Sequence, residues 1–284
     1  RKALEKAGLG FVPVISLNFA GTESSPGFKI TLPMLFKLVS AVLYGDLLMM
    51  LRNQCLPYET EPGSTRKLVE SWTDRLVSLM SSPAFFTRKN TMKKYGEIIR
   101  DFAALPKTGE KKMKVGIVGE IYVKFAPLGN NDLEEFLHSE NCEVVMSGLL
   151  DFCMYCAYNM EHDRQYYGDN SKLYTFIVGK VYKYLLARQR DIISAIEKEG
   201  SFTPPTPFEH VVSLTDGYIS TATKMGEGWL LTAEMLELID SGTNNIVCAQ
   251  PFGCLPNHIC GRGMMKLIKD RNPQVNLVAV DYDP

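Results

Sequence analysis

Cys254 is the residue whose type and setting most favour chemistry. It lies in the segment AQPFGCLPNH (249–258), where Pro251, Gly253 and Pro256 restrict the path of the backbone. The segment separates a predicted strand from a predicted helix, so the thiol lies near unpaired backbone N–H groups that favour the thiolate. A thiolate can ligate a metal ion or a cluster, or act as a nucleophile. The alternative is a small apolar side chain packed in a tight turn.

A second segment has a similar setting. GEIYVKFAPLGNN (119–131) follows a predicted strand and carries Glu120, Tyr122 and Lys124 between glycines. In an open parallel sheet, ligands bind beyond the carboxyl ends of the strands. We therefore predict that both segments line one crevice. The predicted cofactor-binding residues are Gly119, Glu120, Gly253 and Cys254, and the sequence indicates no catalytic residue.

The other cysteines carry weaker signals. Cys153 and Cys156 form a CxxC, and at the helical spacing i, i+3 both sulfurs could face one metal ion. No second CxxC accompanies them in the sequence, so buried packing is favoured and a zinc site is the alternative. Cys248 falls in the core of a predicted strand. Seven cysteines, an odd number, fit reduced thiols better than a disulfide framework.

The histidines and the common motifs offer little acid–base chemistry. His138 and His162 have polar neighbours typical of surface residues, whereas His258 follows Cys254 closely and could donate to a bound group or cap a helix. The sequence lacks GxGxxG, GxxxxGK(S/T), GxSxG and HExxH, which excludes the common dinucleotide, P-loop, hydrolase and metalloprotease motifs. Glu227 is predicted to lie at the start of a helix, where a carboxylate suits the helix dipole.

The elements that position these residues differ between two predicted domains. Residues 1–110 are predicted to be mainly helical after one strand at 11–17, and the polar run PKTGEKK within 106–112 is the predicted boundary. Apolar residues recur at helical spacing in three stretches. They are Leu35, Val39, Val42, Leu43 and Leu47, after Thr31 and Pro33; Leu68, Trp72, Leu76 and Leu79; and Met92, Tyr95, Ile99 and Phe102.

Residues 111–284 alternate between strand and helix. Asn131 and Glu134 resemble a capping box, and Asn257 is predicted to cap the helix that ends before Pro273. Because parallel strands need long crossovers, the alternation predicts an α/β fold, a Rossmann-like parallel sheet with helices on both faces. The predicted strands are 113–119, 143–146, 245–249 and 276–282, and the predicted helices include 148–159, 171–198 and 228–241.

Composition and charge limit the choice of partners. The 284 residues include 31 basic and 32 acidic side chains, so bulk electrostatics predicts neither nucleic acid nor an anionic membrane as a partner. Lys37 and Asp46 interrupt the apolar stretch 32–51, which we interpret as a buried helix and not a membrane span. Without a signal-peptide pattern, the protein is predicted to be cytoplasmic. The sequence begins without Met and stops after a predicted core strand, which suggests a piece of a longer chain.

Several stretches carry a resemblance to a known family. They are IVGEIYVKFAPLGNNDLEEFL, EGWLLTAEMLELI, IVCAQPFGCLPNHICGRGMMKLIK and LVAVDYDP, with weaker similarity through PVISLNFAGTESSPGFKI and LPYETEPG. Together they resemble the 2-hydroxyacyl-CoA dehydratase component family. The likeness is strongest to the C-terminal region of its fused versions, named 2-hydroxyglutaryl-CoA dehydratase activators. The run around PFGC is the most specific part.

This resemblance implies an oxygen-sensitive iron–sulfur protein of anaerobic metabolism. Its 4Fe-4S cluster would be held by three cysteines, two from an earlier domain and one late in the sequence, where Cys254 matches. In true dehydratases of the family, an ATPase activator injects one electron, the cluster passes it to an acyl-CoA thioester, and the resulting ketyl radical loses hydroxide.

The same resemblance implies the partners. They are an activator ATPase domain or the missing upstream domain of the same chain, with an acyl-CoA as substrate, and this chain by itself is expected to be inactive. The alternative is a non-catalytic scaffold or interaction domain with a vestigial crevice. In that case Cys254 would be fully buried.

Overall fold

A computed structural model describes residues 2–14, 31–168 and 171–283, although of residues 83 and 84 it describes only the backbone. The chain divides into two compact units, Arg1–Ala41 and Val42–Pro284. The predicted domain boundary, 106–112, lies inside the second unit. All the sites discussed below belong to that second unit.

The predicted helical region is present. The buried part of its apolar stripes forms the core, where Trp72, Tyr95 and Phe102 are completely buried. The helices are α1 (Lys2–Lys6), α2 (Leu32–Cys55), α3 (Ser64–Leu79) and α4 (Arg88–Ala103), with short 3-10 turns at Leu56–Tyr58 and Pro83–Phe86.

The helix that contains the longest apolar stretch is only partly buried. Among the described residues, one helix, Leu32–Tyr58, is apolar and long enough to span a membrane. Of its most apolar 18-residue stretch, 28% is buried. Leu47 and Leu51 are buried, whereas Leu32 and Phe36 are exposed. The prediction of a buried helix is therefore confirmed for the second half of α2 and wrong for the first half.

The α/β fold is confirmed. Four parallel strands form one sheet, in the order β2-β1-β3-β4. In the central pair, Val118 lies beside Cys248 and Gly119 beside Ala249. The strands are β1 (Met113–Gly119), β2 (Cys142–Val145), β3 (Asn245–Pro251) and β4 (Asn276–Tyr282).

Helices cover both faces of the sheet, because alternate residues of the strands are apolar on each side. On one face Val118 and Ile246 pack with Leu236 and Ile268, and on the other Ile117 packs with apolar residues of the crossover between β1 and β2. The helices are α5 (Ile121–Phe125), α6 (Pro127–Asn130), α7 (Leu133–Ser139), α8 (Leu149–Tyr167), α9 (Lys172–Glu199), α10 (Phe208–Ser213), α11 (Trp229–Asp240) and α12 (Met265–Arg271).

Two local predictions are wrong or fall outside the described part. Of the predicted strand 11–17, residues 11–14 form a turn and irregular backbone, and 15–17 lie outside the described residues. Asn131 ends α6 in a left-handed conformation and forms no capping box, because the side chain of Asn130 accepts the N–H of Leu133 instead. Glu134 pairs with Arg52.

The helix after β3 begins earlier than predicted. Helical backbone starts at residue 255 and continues through a π-turn at Asn257–Gly261 and a 3-10 turn at Arg262–Met264 into α12. Asn257 therefore does not cap the helix, and its side chain is free to bond elsewhere. The segment 119–131, predicted as a loop, is largely the short helices α5 and α6.

Candidate functional site

The site lies where the sheet changes direction. From β1 the chain crosses to β2 on one side and later to β3 on the other, so the carboxyl ends of β1 and β3 flank a topological switch point, the place where ligands bind in open α/β sheets. Gly119 ends β1 there, and the Glu120 N–H donates to the Ala249 carbonyl over 3.1 Å. The two predicted segments thus start from adjacent strand ends.

Gly119 allows this close approach. A Cβ at this position would lie 1.9 Å from the carbonyl oxygen of Ala249, and its φ of +152° is rare for residues with side chains. The side chain of Glu120 turns back and accepts the N–H of Val123 over 2.9 Å, which caps α5. In the structure Gly119 and Glu120 therefore shape the edge of the crevice.

Cys254 lies in a tight turn at the end of β3. Its N–H donates to the carbonyl of Pro251, and its own carbonyl accepts the His258 N–H at 3.0 Å and the His258 Nδ1 at 2.8 Å. The side chain is only partly buried, and its Sγ accepts a hydrogen bond from Asn257 Nδ2 at 3.1 Å. This hydrogen bond fixes the position of the sulfur relative to Asn257. Gly253, with φ +77°, supplies the left-handed residue of the turn.

Glu227 joins the two segments, and sequence reasoning missed this role. Its carboxylate accepts the backbone N–H of Ile121 at 3.3 Å and Asn257 Nδ2 at 3.3 Å, so one residue contacts both sides of the crevice. Burial raises the pKa of Glu227, and the neighbouring Glu120 carboxylate raises it further, while the hydrogen bonds from Ile121 and Asn257 oppose the shift. The only local signal was a glutamate between two glycines.

The backbone around Glu227 is held against α8. The Tyr155 hydroxyl contacts the carbonyl oxygens of Lys224 at 2.7 Å and Gly226 at 2.9 Å. A Cβ at Gly228, where φ is +44°, would lie 2.2 Å from the carbonyl oxygen of Thr223. The glycine is therefore required by the close approach of the backbone, and Glu227 is held in one position by a rigid turn.

Replacing Glu227 by alanine is expected to lower the free energy of unfolding by about 2–3 kcal/mol, because the Ile121 N–H and the Asn257 amide would lose their acceptor in a buried setting. Urea denaturation at pH 7 measures the change. Glu61→Ala, at an exposed carboxylate, is the control and should change stability by less than about 0.5 kcal/mol. Equal effects of the two substitutions would contradict the bridging role.

The far side of the turn is also polar. Gln250 is completely buried at the end of β3, and its Nε2 donates to Asp281 of β4. Asp281 also accepts from Arg262 at 3.0 Å. Together with Glu120 and Glu227, Asp281 gives the surroundings of the Cys254 turn more acidic than basic groups. Such surroundings disfavour the binding of a phosphate.

The remaining cysteines differ from Cys254. Cys153 and Cys156, for which buried packing was predicted, lie half-buried on α8. Burial raises the pKa of both thiols to about 11. The Cys156 thiolate is additionally disfavoured by Glu227. Cys248 is completely buried in β3 as predicted, and burial raises its pKa to about 12. These three thiols stay protonated near neutral pH.

Three further sequence predictions are corrected by the structure. Lys124 does not face the crevice, because it is buried beneath α5 and binds Glu234 at 2.9 Å. His138 is not a surface residue, as its side chain is 5% exposed beside Glu134. His162 lies within α8, half-buried, with its ring stacked 4.0 Å from that of Tyr158.

The possible metal ligands of this region match the predicted cluster at one position only. Among the residues that the structure describes, no group of three or more His, Cys, Asp or Glu side chains is arranged to hold a metal ion. The resemblance requires one ligand from this region, and Cys254, a partly exposed residue whose sulfur accepts a hydrogen bond from an amide, fits that single position.

Comparisons with known proteins identify no relative. No protein-family model matches the chain, and no curated protein or solved structure matches it significantly. The family resemblance therefore stays a prediction.

Proposed function

We propose that this chain is part of an iron–sulfur protein of the 2-hydroxyacyl-CoA dehydratase type, in which Cys254 supplies one thiolate ligand of a 4Fe-4S cluster. The observation that carries the proposal is the position of Cys254, a partly exposed residue at the switch point of a parallel sheet, with the Asn257 amide donating to its sulfur. When bound, the cluster supplies one-electron transfer to an acyl-CoA thioester for loss of water.

The residues of this chain would hold and orient that ligand. Asn257 positions the sulfur, and Glu227 positions Asn257 while tying it to the end of β1. Gly253, in the left-handed conformation, forms the turn that leads from β3 to Cys254. This chain would supply one cysteine ligand in a fixed position, and the other two cysteine ligands would come from an upstream domain.

The surface around Cys254 suits such a domain. The side chains of Phe252, Leu255 and Ile259 flank the cysteine turn and are 70%, 68% and 54% exposed. Exposed apolar residues next to a polar crevice are typical of a surface that another domain covers. In this proposal the upstream domain or an activator ATPase domain contacts this surface, in the cytoplasm, and the isolated chain is inactive.

The second candidate is a non-catalytic scaffold with a vestigial crevice. It expects Cys254 to be fully buried among apolar neighbours. Cys254 is instead partly exposed, and its sulfur accepts a hydrogen bond from an amide, which favours the cluster ligand over the scaffold.

Anaerobic reconstitution with iron and sulfide tests the proposal. The full-length product of the gene should develop the broad visible absorption of an iron–sulfur cluster, and Cys254→Ser should lose most of it. Cys153→Ser, which removes another half-buried thiol, is the matched control and should retain the absorption. Equal absorption in the two folded variants, checked by circular dichroism, would contradict the role of Cys254.

A further inference from the structure

A cavity of about 130 Å³ lies apart from the Cys254 crevice. It is bounded by α2, α8, α9 and α11 and by the extended chain between α9 and α10. We call residues 201–207 of this connection the strap. Residues 203–206 of the strap, including two prolines, form one wall of the cavity.

Two glutamines fasten the strap. Gln54 of α2 bonds to the backbone of Thr203 in both directions, over 3.0 Å and 2.8 Å. Gln189 of α9 donates to the carbonyl of Thr206 at 3.2 Å and accepts the Phe208 N–H at 2.9 Å. The strap is otherwise irregular, and these side-chain contacts hold it together with the buried side chain of Phe202.

Three carboxyl groups from three helices line the same cavity. Asp46 of α2 accepts the N–H groups of Leu149 and Leu150, at 3.0 Å and 2.7 Å, and so caps α8. Asp151 of α8 accepts from Gln189 at 3.0 Å, which links a cavity carboxyl to the strap. Glu237 of α11 is half-buried and also lines the cavity.

Burial makes these groups harder to ionise. It raises the pKa of Asp46 to about 6 and of Glu237 to about 7, and it raises the pKa of Asp151 well above its usual range. Negative neighbours add to the shift of Asp151, and Lys124 opposes it. The charged and titratable groups that face the three carboxyls are Glu143 and Lys114 on the strands, Lys124 on α5, His210 on α10 and Glu234 on α11.

We propose that the cavity and the strap form a pH-sensitive latch, in which the strap is closed while the cavity carboxyls are neutral and is released when they ionise. Ionisation places negative charges in an enclosed space where Lys124 is already bound to Glu234. Their repulsion and their need for water are relieved when the cavity opens. Because Asp151 bonds to Gln189, a negative charge on Asp151 acts directly on one of the two glutamines that hold the strap.

The sign of the effect follows from the raised pKa values. A carboxyl that is harder to ionise in the closed state binds more protons there, so closing is favoured at low pH and weakened as pH rises toward the closed-state pKa and beyond. For Glu237 alone, with a pKa of about 7, opening should become about tenfold more frequent between pH 6 and pH 8.

Hydrogen exchange measured by mass spectrometry at pH 6 and pH 8 tests the latch. After division by intrinsic exchange rates, a peptide covering the strap should exchange about tenfold faster at pH 8, whereas a peptide from α4 should not change. Glu237→Gln, which mimics the protonated carboxyl, should remove that acceleration. Glu197→Gln, at an exposed carboxylate of α9, should leave it intact.

Three outcomes would overturn the latch. One is a strap that exchanges equally at both pH values in the unmodified protein, and this result decides the matter even if the variants do not fold. Another is an unchanged acceleration in Glu237→Gln. The last is equal acceleration of strap and α4 peptides, because that indicates global unfolding. None of these measurements involves iron, so the latch fails or stands separately from the proposed cluster.

Discussion

Lys124→Met is expected to lower the free energy of unfolding by about 3–5 kcal/mol, because it leaves a buried carboxylate without its cation. Lys124 is 0% exposed and Glu234 5% exposed, with Nζ and Oε1 2.9 Å apart. Lys124 also donates to Ser147 Oγ at 2.6 Å, and Ser147 in turn bonds to Glu234. The substitution therefore breaks a closed network in the protein interior.

Two further variants isolate the cause. Lys124→Met combined with Glu234→Gln removes both charges and keeps an acceptor for Ser147, so it should recover more than half of the lost stability. Arg190→Met breaks the exposed pair with Glu209, whose side chains are 61% and 53% exposed, and should cost no more than about 1 kcal/mol. Denaturant titrations of all variants give these values. A double variant as unstable as Lys124→Met would show that packing, not charge, causes the loss.

Gly119→Ala is expected to destabilise the protein by about 3 kcal/mol or more. The new Cβ would meet the Ala249 carbonyl oxygen at 1.9 Å, so β1 and β3 would have to separate at the site, and the φ of +152° adds backbone strain. The clash is with backbone, which cannot rotate away as a side chain can.

The matched control for that substitution is Gly109→Ala, at an exposed glycine with no atom within 4 Å of the added Cβ. It should change stability by less than about 0.5 kcal/mol. Denaturation of both variants followed by circular dichroism makes the comparison. A Gly119→Ala protein as stable as the control would mean that β1 and β3 do not approach each other as described.

The sheet could be predicted from the sequence because each strand is specified by the residues within it. β1 and β4 match their predicted ranges, 113–119 and 276–282, since short apolar runs rich in β-branched residues form strands almost wherever they are buried. The crevice followed from topology, because strands that alternate with helices bring their carboxyl ends to one edge. No residue contact had to be known for either inference.

The contacts within the site depend on distant residues and could not be read from the sequence. Glu227 reaches Ile121 from 106 positions away, and nothing in the local sequence indicates that pairing. Asn257 has the residue type of a helix cap, yet the helix begins two residues earlier and frees the amide for Cys254. Lys124 was predicted to lie in a crevice loop, but one turn of helix, α5, directs it inward to Glu234.

The most direct test of the central claim is whether iron protects Cys254 from alkylation. The full-length protein, purified without oxygen and loaded with iron and sulfide, is treated with iodoacetamide before and after iron is removed by a chelator, and each cysteine is quantified by mass spectrometry. We predict that Cys254 is protected while iron is bound and is labelled once iron is removed, whereas Cys153 reacts equally in both samples. Equal labelling of Cys254 in a sample that retains its iron would contradict the assignment of this sulfur as a cluster ligand.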